Sequence, residues 1–318
     1  MPKLVFVMNV AEEHLAKVRD VAPDWEIISG KDKDIWLHHL KDAEVVVGWN
    51  KDVFKEAVES SNATLRWVHN WGAGVDKFPF TALKERGIML TNSSGVHAYP
   101  ISETILGMML ALTRQLHICI QNQQTNTWHH ANAQLEMHGK TVVILGTGAI
   151  GSETARLCKA FGMQVLGVRR SDKQADYFDE MYTFHSLKQA LEQSDYVVNT
   201  LPLTEATRHM MGESQFASMK SSAFYINIGR GGTTDEESLI TAIQNKSIAG
   251  AGLDVFSTEP LPDGSPLWEM SNVIITPHTS GSTEHYDARV MEIFLPNLKA
   301  YVEGKDPEIN RVNLDLQY

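Results

Sequence analysis

Short β-rich apolar runs recur along this chain, and between them the apolar positions fall at helical spacing. The first group covers residues 4–8, 26–29, 44–47, 66–69 and 88–91, and a second group covers 142–145, 164–168, 196–199, 224–228, 250–254 and 273–276. Runs of Val, Ile and Leu that alternate with helical segments are the mark of parallel strands covered on both faces, because each parallel crossover needs a helix to return the chain. The pattern therefore predicts two doubly wound parallel sheets, the second larger than the first. Between them Pro100 opens a long apolar helix over 101–120, in which Ile105, Met109, Leu112 and Leu116 recur at helical spacing. From about Glu284 the spacing of Val290, Ile293, Phe294, Leu298 and Tyr301 predicts a second helix that returns to the first sheet. The expectation is a discontinuous domain of residues 1–98 and 285–318 surrounding a continuous one of residues 99–284.

The strand over 142–145 runs into Gly146-Thr-Gly148-Ala-Ile-Gly151, and a second strand begins at Gln164. A tight turn needs the first glycine, close approach of the backbone to a pyrophosphate needs the second, and packing of helix on strand needs the third. A helix expected over 152–161 would point its N-terminal amides at the phosphates. Strand, glycine turn, helix and second strand fall where a dinucleotide site requires them, so Gly146, Gly148, Ala149, Ile150 and Gly151 are candidate cofactor contacts. Where an acidic residue commonly ends the second strand and holds a ribose 2′-hydroxyl, this chain has Arg169-Arg170-Ser171. A guanidinium attracts a 2′-phosphate. One charge-assisted hydrogen bond to phosphate contributes about 1.5–3 kcal/mol, roughly a 10- to 100-fold preference for NADP (NADPH) over NAD.

Composition narrows the remaining classes. The 318 residues are 43% hydrophobic and 21% charged, which is globular and long enough for two domains. A formal net charge of −11, without a basic stripe, argues against nucleic acid as a partner. Cys119 and Cys158 have neither disulfide-framework nor zinc-site spacing, which predicts a reduced, cytoplasmic protein. The apolar start, residues 4–8, is too short for a signal core, and no run approaches a membrane span. None of the histidines falls in an H-E-x-x-H or Cys/His set, so no metal is expected. The amide-rich stretch 121–134, with Trp128 and His129-His130, fits neither alternation. It reads equally as a surface loop or as an arm that packs on a second subunit.

Three polar residues follow successive strands of the larger sheet: Arg230 in Asn227-Ile-Gly-Arg-Gly-Gly232, Glu259 in Asp254-Val-Phe-Ser-Thr-Glu-Pro260, and His278 in Thr276-Pro-His-Thr-Ser280. Ends of parallel strands are where ligands bind. With these motifs, Gly72-Ala-Gly-Val-Asp76, the glycine turn and Leu201-Pro-Leu203, the chain resembles the D-isomer-specific 2-hydroxyacid dehydrogenase family over nearly its whole length. Pro262-Asp-Gly-Ser-Pro-Leu-Trp268 makes it most similar to the glyoxylate/hydroxypyruvate reductase-like branch. Arg169 departs from the NAD-using pattern.

The resemblance implies a Rossmann-type nucleotide domain and a flavodoxin-like substrate domain with a cleft between them. It also implies hydride transfer between NAD(P) and a small 2-oxo acid or 2-hydroxy acid, in a homodimer. His278 would pass a proton to the carbonyl oxygen, because imidazole titrates near working pH. Glu259 would hold the other ring nitrogen, and its charge would favour the acid form. Arg230 would clamp the substrate carboxylate and polarise the carbonyl. Backbone N–H groups of Ala73, Gly74 and Val75 would add an anion nest. Leu201, Pro202 and Ile228 would line the cofactor, and Asp254 would receive the nicotinamide carboxamide. The alternative from another class is a dinucleotide-sensing, corepressor-like binding protein that binds the cofactor without turnover.

Overall fold

Strands β1 (Lys3–Phe6), β2 (Glu26–Ser29), β3 (Val45–Val47), β4 (Trp67–Asn70) and β5 (Met89–Asn92) form a parallel sheet in the order β2-β1-β3-β4-β5. This is the flavodoxin-like order. Alternate residues enter opposite cores: Val5, Val46 and Val68 lie in one cluster, while Leu4, Phe6, Val45, Val47 and Trp67 lie in the other. Period-two alternation with both sides apolar is why these strands read as continuous hydrophobic runs. In the computed structural model, which describes residues 1–60, 62–130, 134–171 and 173–317, the sheet belongs to a unit of Met1–Val96 with Glu284–Tyr318. Helix Tyr286–Val302 supplies Met291, Phe294 and Leu298 to the second of these cores. The Phe294 ring stacks on Trp67 at 5.5 Å and meets Phe6 edge-on at 5.8 Å. Burying one such side chain contributes about 1.5–3 kcal/mol. Farther on, the Val312 N–H donates to Leu90 O at 2.9 Å and Arg311 bridges Thr91 antiparallel, which covers the exposed edge of β5.

The other unit, His97–Thr283, holds seven parallel strands: β6 (Thr141–Leu145), β7 (Gln164–Arg169), β8 (Glu180–Thr183), β9 (Tyr196–Asn199), β10 (Phe224–Asn227), β11 (Gly250–Leu253) and β12 (Val273–Ile275). Their order is β12-β11-β10-β9-β6-β7-β8. The order reverses between β6 and β9, as in the dinucleotide-binding fold, with one strand added beyond β11. Val143, Leu145, Val168 and Tyr225 pack on one face, and Val142, Ile144, Tyr196 and Ile226 on the other. Helix Ala98–Thr113 lays Ile105, Met108, Met109 and Leu112 on the second face, beside Ala155 and Cys158 of helix Ala149–Ala160.

Three sequence expectations change here. The helix expected over 101–120 is two helices, Ala98–Thr113 and Leu116–Gln124, because Gln115 takes a left-handed φ of 52°. Leu116–Gln124 buries none of its residues, so its apolar spacing continued the pattern without a core to pack on. The helix expected over 152–161 starts at Ala149, because Gly148 stands at its N-cap and the residues between the glycines are already helical. β8 was not anticipated: Glu-Met-Tyr-Thr at the sheet edge buries no residue fully and carries no apolar run. In the stretch 121–134, residues 131–133 lie outside the described residues, and Trp128 is 94% exposed. No helix among the described residues is long and apolar enough to cross a membrane.

Candidate active site

At the switch point, β6 ends on Gly146, whose φ of +93° disfavours any side chain. Its N–H donates to Val168 O at 2.8 Å, and Thr200 Oγ1 donates to Leu145 O and Gly146 O, both at 3.0 Å. A Cβ on Gly151 would sit 2.0 Å from Gly146 O, so helix and turn close up only with glycine there. A Cβ on Gly148 would meet nothing within 4 Å: the second glycine borders an open cradle. No side chain caps the helix that begins at Ala149 and Ile150, so its first-turn N–H groups face that cradle without a competing carboxylate or hydroxyl. These residues fit a dinucleotide pyrophosphate. Arg169 closes β7, half-buried, with Arg170 and Ser171 exposed just beyond it.

Beside the switch point a fully buried polar cluster ties β9 to β10. Asn199 Nδ2 donates to Tyr225 Oη at 2.9 Å and to Thr233 Oγ1 at 2.8 Å. Tyr225 Oη lies 2.6 Å from Thr234 Oγ1, to which Asn227 Nδ2 donates at 3.1 Å. Burial pushes the Tyr225 phenol up to about 12, against the opposing hydrogen bonds of Thr234 and Asn199, so it serves as a neutral hydroxyl. The cluster fixes two turns. Asn199 Oδ1 accepts from Leu201 N at 3.1 Å, while Thr233 Oγ1 donates to Arg230 O at 2.6 Å. Thr207 Oγ1 donates to Pro202 O at 2.6 Å, Ile228 N donates to Asn199 O at 3.2 Å, and a Cβ on Gly229 would meet Leu201 O at 2.6 Å. Leu201, Pro202, Ile228 and Arg230 thus share one rigid support. The Arg230 guanidinium donates through Nη1 to Gly229 O at 2.8 Å.

The outer two strands carry an acid and an imidazole. His278 Nδ1 lies 2.8 Å from Glu259 Oε2, and Glu259 Oε1 accepts from Phe256 N at 3.0 Å. Burial works against the Glu259 charge, but the His278 hydrogen bond, the Phe256 N–H and the nearby imidazole outweigh it, so its carboxyl sits below the ordinary range. With Nδ1 engaged, Nε2 is the nitrogen left to exchange a proton with a bound molecule. His278 itself has a left-handed φ of 53°. A non-glycine residue in that region must be held by its surroundings, and here Asp254 does so. Its main-chain O accepts from His278 N at 2.9 Å, and Oδ1 accepts from Thr279 N at 2.9 Å and from Thr276 Oγ1. Ser280 donates to Oδ2 through N, at 3.2 Å, and through Oγ. The fully buried Asp254 carboxylate is thereby committed to the loop that carries His278.

Residues 106–280 match the family model described as D-isomer specific 2-hydroxyacid dehydrogenase, NAD binding domain. The chain belongs to the D-isomer specific 2-hydroxyacid dehydrogenase family. It is similar to a glyoxylate reductase of Korarchaeum cryptofilum, 30% identical over 99% of this chain and 97% of that protein. Among solved structures it is similar to a family protein from Aeromonas salmonicida, with 31% identity, a TM-score of 0.84 and 99% of each chain covered. It is also similar to an NADPH-dependent glyoxylate/hydroxypyruvate reductase of Sinorhizobium meliloti in complex with NADP and sulfate, at 27% identity, a TM-score of 0.84 and full coverage of both chains. This 2-hydroxyacid dehydrogenase is therefore an NAD(P)-dependent oxidoreductase.

Along the C-terminal edge of the dehydrogenase's larger sheet the functional residues stand in the order of the strands. His278 follows β12, Asp254 and Glu259 follow β11, Arg230 follows β10, Leu201 follows β9, the glycine turn follows β6 and Arg169 ends β7. Five gaps of about 4.8 Å spread them over roughly 24 Å. The structure joins Glu259 to His278 directly and places Arg230 on the neighbouring strand. Ala73, Gly74 and Val75 lie in the other unit, in the turn after β4. Sequence reasoning missed Asn199, Asn227, Tyr225 and Thr233, although a signal was present. β4, β5, β9 and β10 all end on asparagine, at Asn70, Asn92, Asn199 and Asn227. An asparagine that closes an apolar run can bind the main chain of the following turn, and all four do.

Proposed function

We propose that the chain is an NADPH-preferring reductase that converts a small 2-oxo acid of the glyoxylate and hydroxypyruvate class into the D-2-hydroxy acid. The Glu259–His278 pair, one strand from Arg230 at the ligand-binding edge of the sheet, carries this reading. The bound nicotinamide supplies the hydride. His278 Nε2 gives its proton to the carbonyl oxygen, and Glu259 stabilises the imidazolium and fixes the ring through Nδ1. Arg230 and the N–H groups of Ala73, Gly74 and Val75 bind the substrate carboxylate, and Arg230 also stabilises charge as it develops on the carbonyl oxygen. Asp254 holds the His278 loop and is assigned, as a proposal, to the nicotinamide carboxamide side of the cofactor site.

Arg169, with Arg170, is assigned to the 2′-phosphate of NADP. The NADP complex of the similar Sinorhizobium meliloti reductase supports that assignment. We assign a homodimer as the working state, with exposed Trp128 on its contact.

The test is initial-rate oxidation of NADPH and NADH with glyoxylate, hydroxypyruvate, pyruvate and phenylpyruvate, with chiral analysis of the product. NADPH should be preferred by about 10- to 100-fold in kcat/KM, and replacing Arg169 and Arg170 together by neutral residues should erase that preference. Equal use of both cofactors by the unaltered chain overturns the 2′-phosphate assignment. Tight NADPH binding without turnover on any of the four acids overturns the reductase.

A further inference from the structure

We propose that Asn70 and Asn92 are positioning residues that aim three consecutive peptide N–H groups at the substrate carboxylate; the proposal rests on the reading of Ala73, Gly74 and Val75 given above. From Asn70 to Gly74 every main-chain carbonyl is held by a side chain of the same unit. Ser93 Oγ donates to Asn70 O at 3.2 Å, and Tyr286 Oη to Trp71 O at 2.7 Å. Asn70 Nδ2 donates to Gly72 O at 2.9 Å and to Gly74 O at 2.8 Å, and Asn92 Nδ2 to Ala73 O at 2.7 Å. A trans peptide is planar, with its N–H opposite its carbonyl, so pinning a carbonyl sets the direction of the next residue's N–H. Fixing Gly72 O, Ala73 O and Gly74 O turns the N–H groups of Ala73, Gly74 and Val75 away from the asparagine amides. Among the described residues, none of these three N–H groups has a hydrogen-bond partner.

Both asparagines are about nine-tenths buried. Their side chains are themselves fixed, since Asn92 Oδ1 accepts from Ser94 N at 3.1 Å and Asn70 uses one amide group on two carbonyls. Only a donor serves here. Aspartate has the same shape as asparagine, but it would set an acceptor against two carbonyl oxygens and drive the peptides round. Oriented successive N–H groups make an anion site without a cation, which recognises a carboxylate. Arg230, a point of positive charge in the other unit, would be indifferent to this change.

The experiment compares the full-length chain with Asn70→Asp, using the best-reduced 2-oxo acid and its neutral amide as alternative substrates and NADPH as cofactor. KM for the acid should rise about 10- to 100-fold, the factor for one hydrogen bond to a charged group. KM for the amide, kcat for the acid and the Kd for NADPH should each stay within about threefold, since uniform binding lost from the ground state leaves kcat in place. If Asn70→Asp does not fold, Asn92→Ala, which releases Ala73 O alone, should show the same split at about 3- to 10-fold. An unchanged KM for the acid, or equal losses on acid and amide, overturns the positioning role while leaving the reductase intact. A wild-type chain that reduces no 2-oxo acid overturns the reading beneath it.

Discussion

Acid should destabilise the first unit along a slope set by His69. This residue lies fully buried on β4, and desolvation holds its pKa at about 3. Its bonds explain how a neutral ring is accommodated. Trp67 Nε1 donates to Thr91 Oγ1 at 2.9 Å, His69 Nδ1 lies 2.8 Å from the same oxygen, and His69 Nε2 lies 3.3 Å from Ser93 Oγ. Ser93 gives its one proton to Asn70 O and so accepts from Nε2–H; in the neutral ring Nδ1 is then the acceptor, and Thr91, which accepts from the tryptophan, gives its one proton to Nδ1. A second ring proton, on Nδ1, would meet the proton that Thr91 gives to that nitrogen.

Relative to an ordinary imidazole near about 6.5, a folded value of about 3 corresponds to roughly 5 kcal/mol. Above about pH 6.5 the ring is neutral in both states and contributes no slope. From there down to about pH 3 the unfolded chain binds a proton that the folded chain refuses, so stability falls by about 1.4 kcal/mol per pH unit. Urea titrations between about pH 6.5 and 4.5, followed by tryptophan fluorescence, report mainly on this unit, which holds Trp25, Trp36, Trp49, Trp67 and Trp71. The comparison is His69→Gln, whose amide can accept from Thr91 and donate to Ser93 without titrating. Its stability should fall less steeply, by about 1.4 kcal/mol per pH unit. Parallel slopes for the two proteins would refute the assignment of the proton to His69.

Two further outcomes concern the larger unit. Glu259→Gln should lower kcat by about 100-fold or more while the Kd for NADPH, read by fluorescence titration, stays within about twofold; a loss of less than about tenfold would remove Glu259 from the proton transfer. The two glycines of the turn should separate fold from ligand. Gly148→Ala, whose Cβ meets nothing within 4 Å, should keep the wild-type melting temperature yet weaken NADPH binding. Gly151→Ala, 2.0 Å from Gly146 O, should lower both, and an unchanged melting temperature would contradict the packing described here.

Strands such as Val45–Val47 and Tyr196–Asn199 were legible because both faces of a parallel strand are apolar, so burial writes itself directly into composition. β8 was not, since an edge strand made of Glu180, Met181, Tyr182 and Thr183 owes its place to pairing with β7 more than to its own residues. Nor was the left-handed Gln115 that divides the long helix, because a backbone turn at a polar residue leaves helical spacing intact on either side. In the site, the glycine turn and the acid, imidazole and guanidinium stood out because their chemistry is local to short motifs. The supports did not. Asn70, Asn92, Ser93 and Tyr286 act on main-chain carbonyls, and one of those contacts joins residues 215 positions apart. A polar residue in a sequence does not disclose whether its partner is water or a peptide group.

On the ribosome, residues 1–96 emerge well before the helix Tyr286–Val302 that covers Leu4, Phe6 and Trp67. At about 5–20 residues per second the interval is roughly 10–40 s. Throughout it that apolar side of the young sheet is covered only in part, by Leu15 and Val18 of the helix Glu12–Val21, and β5 is unpaired along its edge, while His97–Thr283 gains its last segment only as the interval closes. The nascent chain thus builds its dinucleotide fold while tethered to a half-covered, adhesive sheet, and its demand on chaperones falls on the half that was made first.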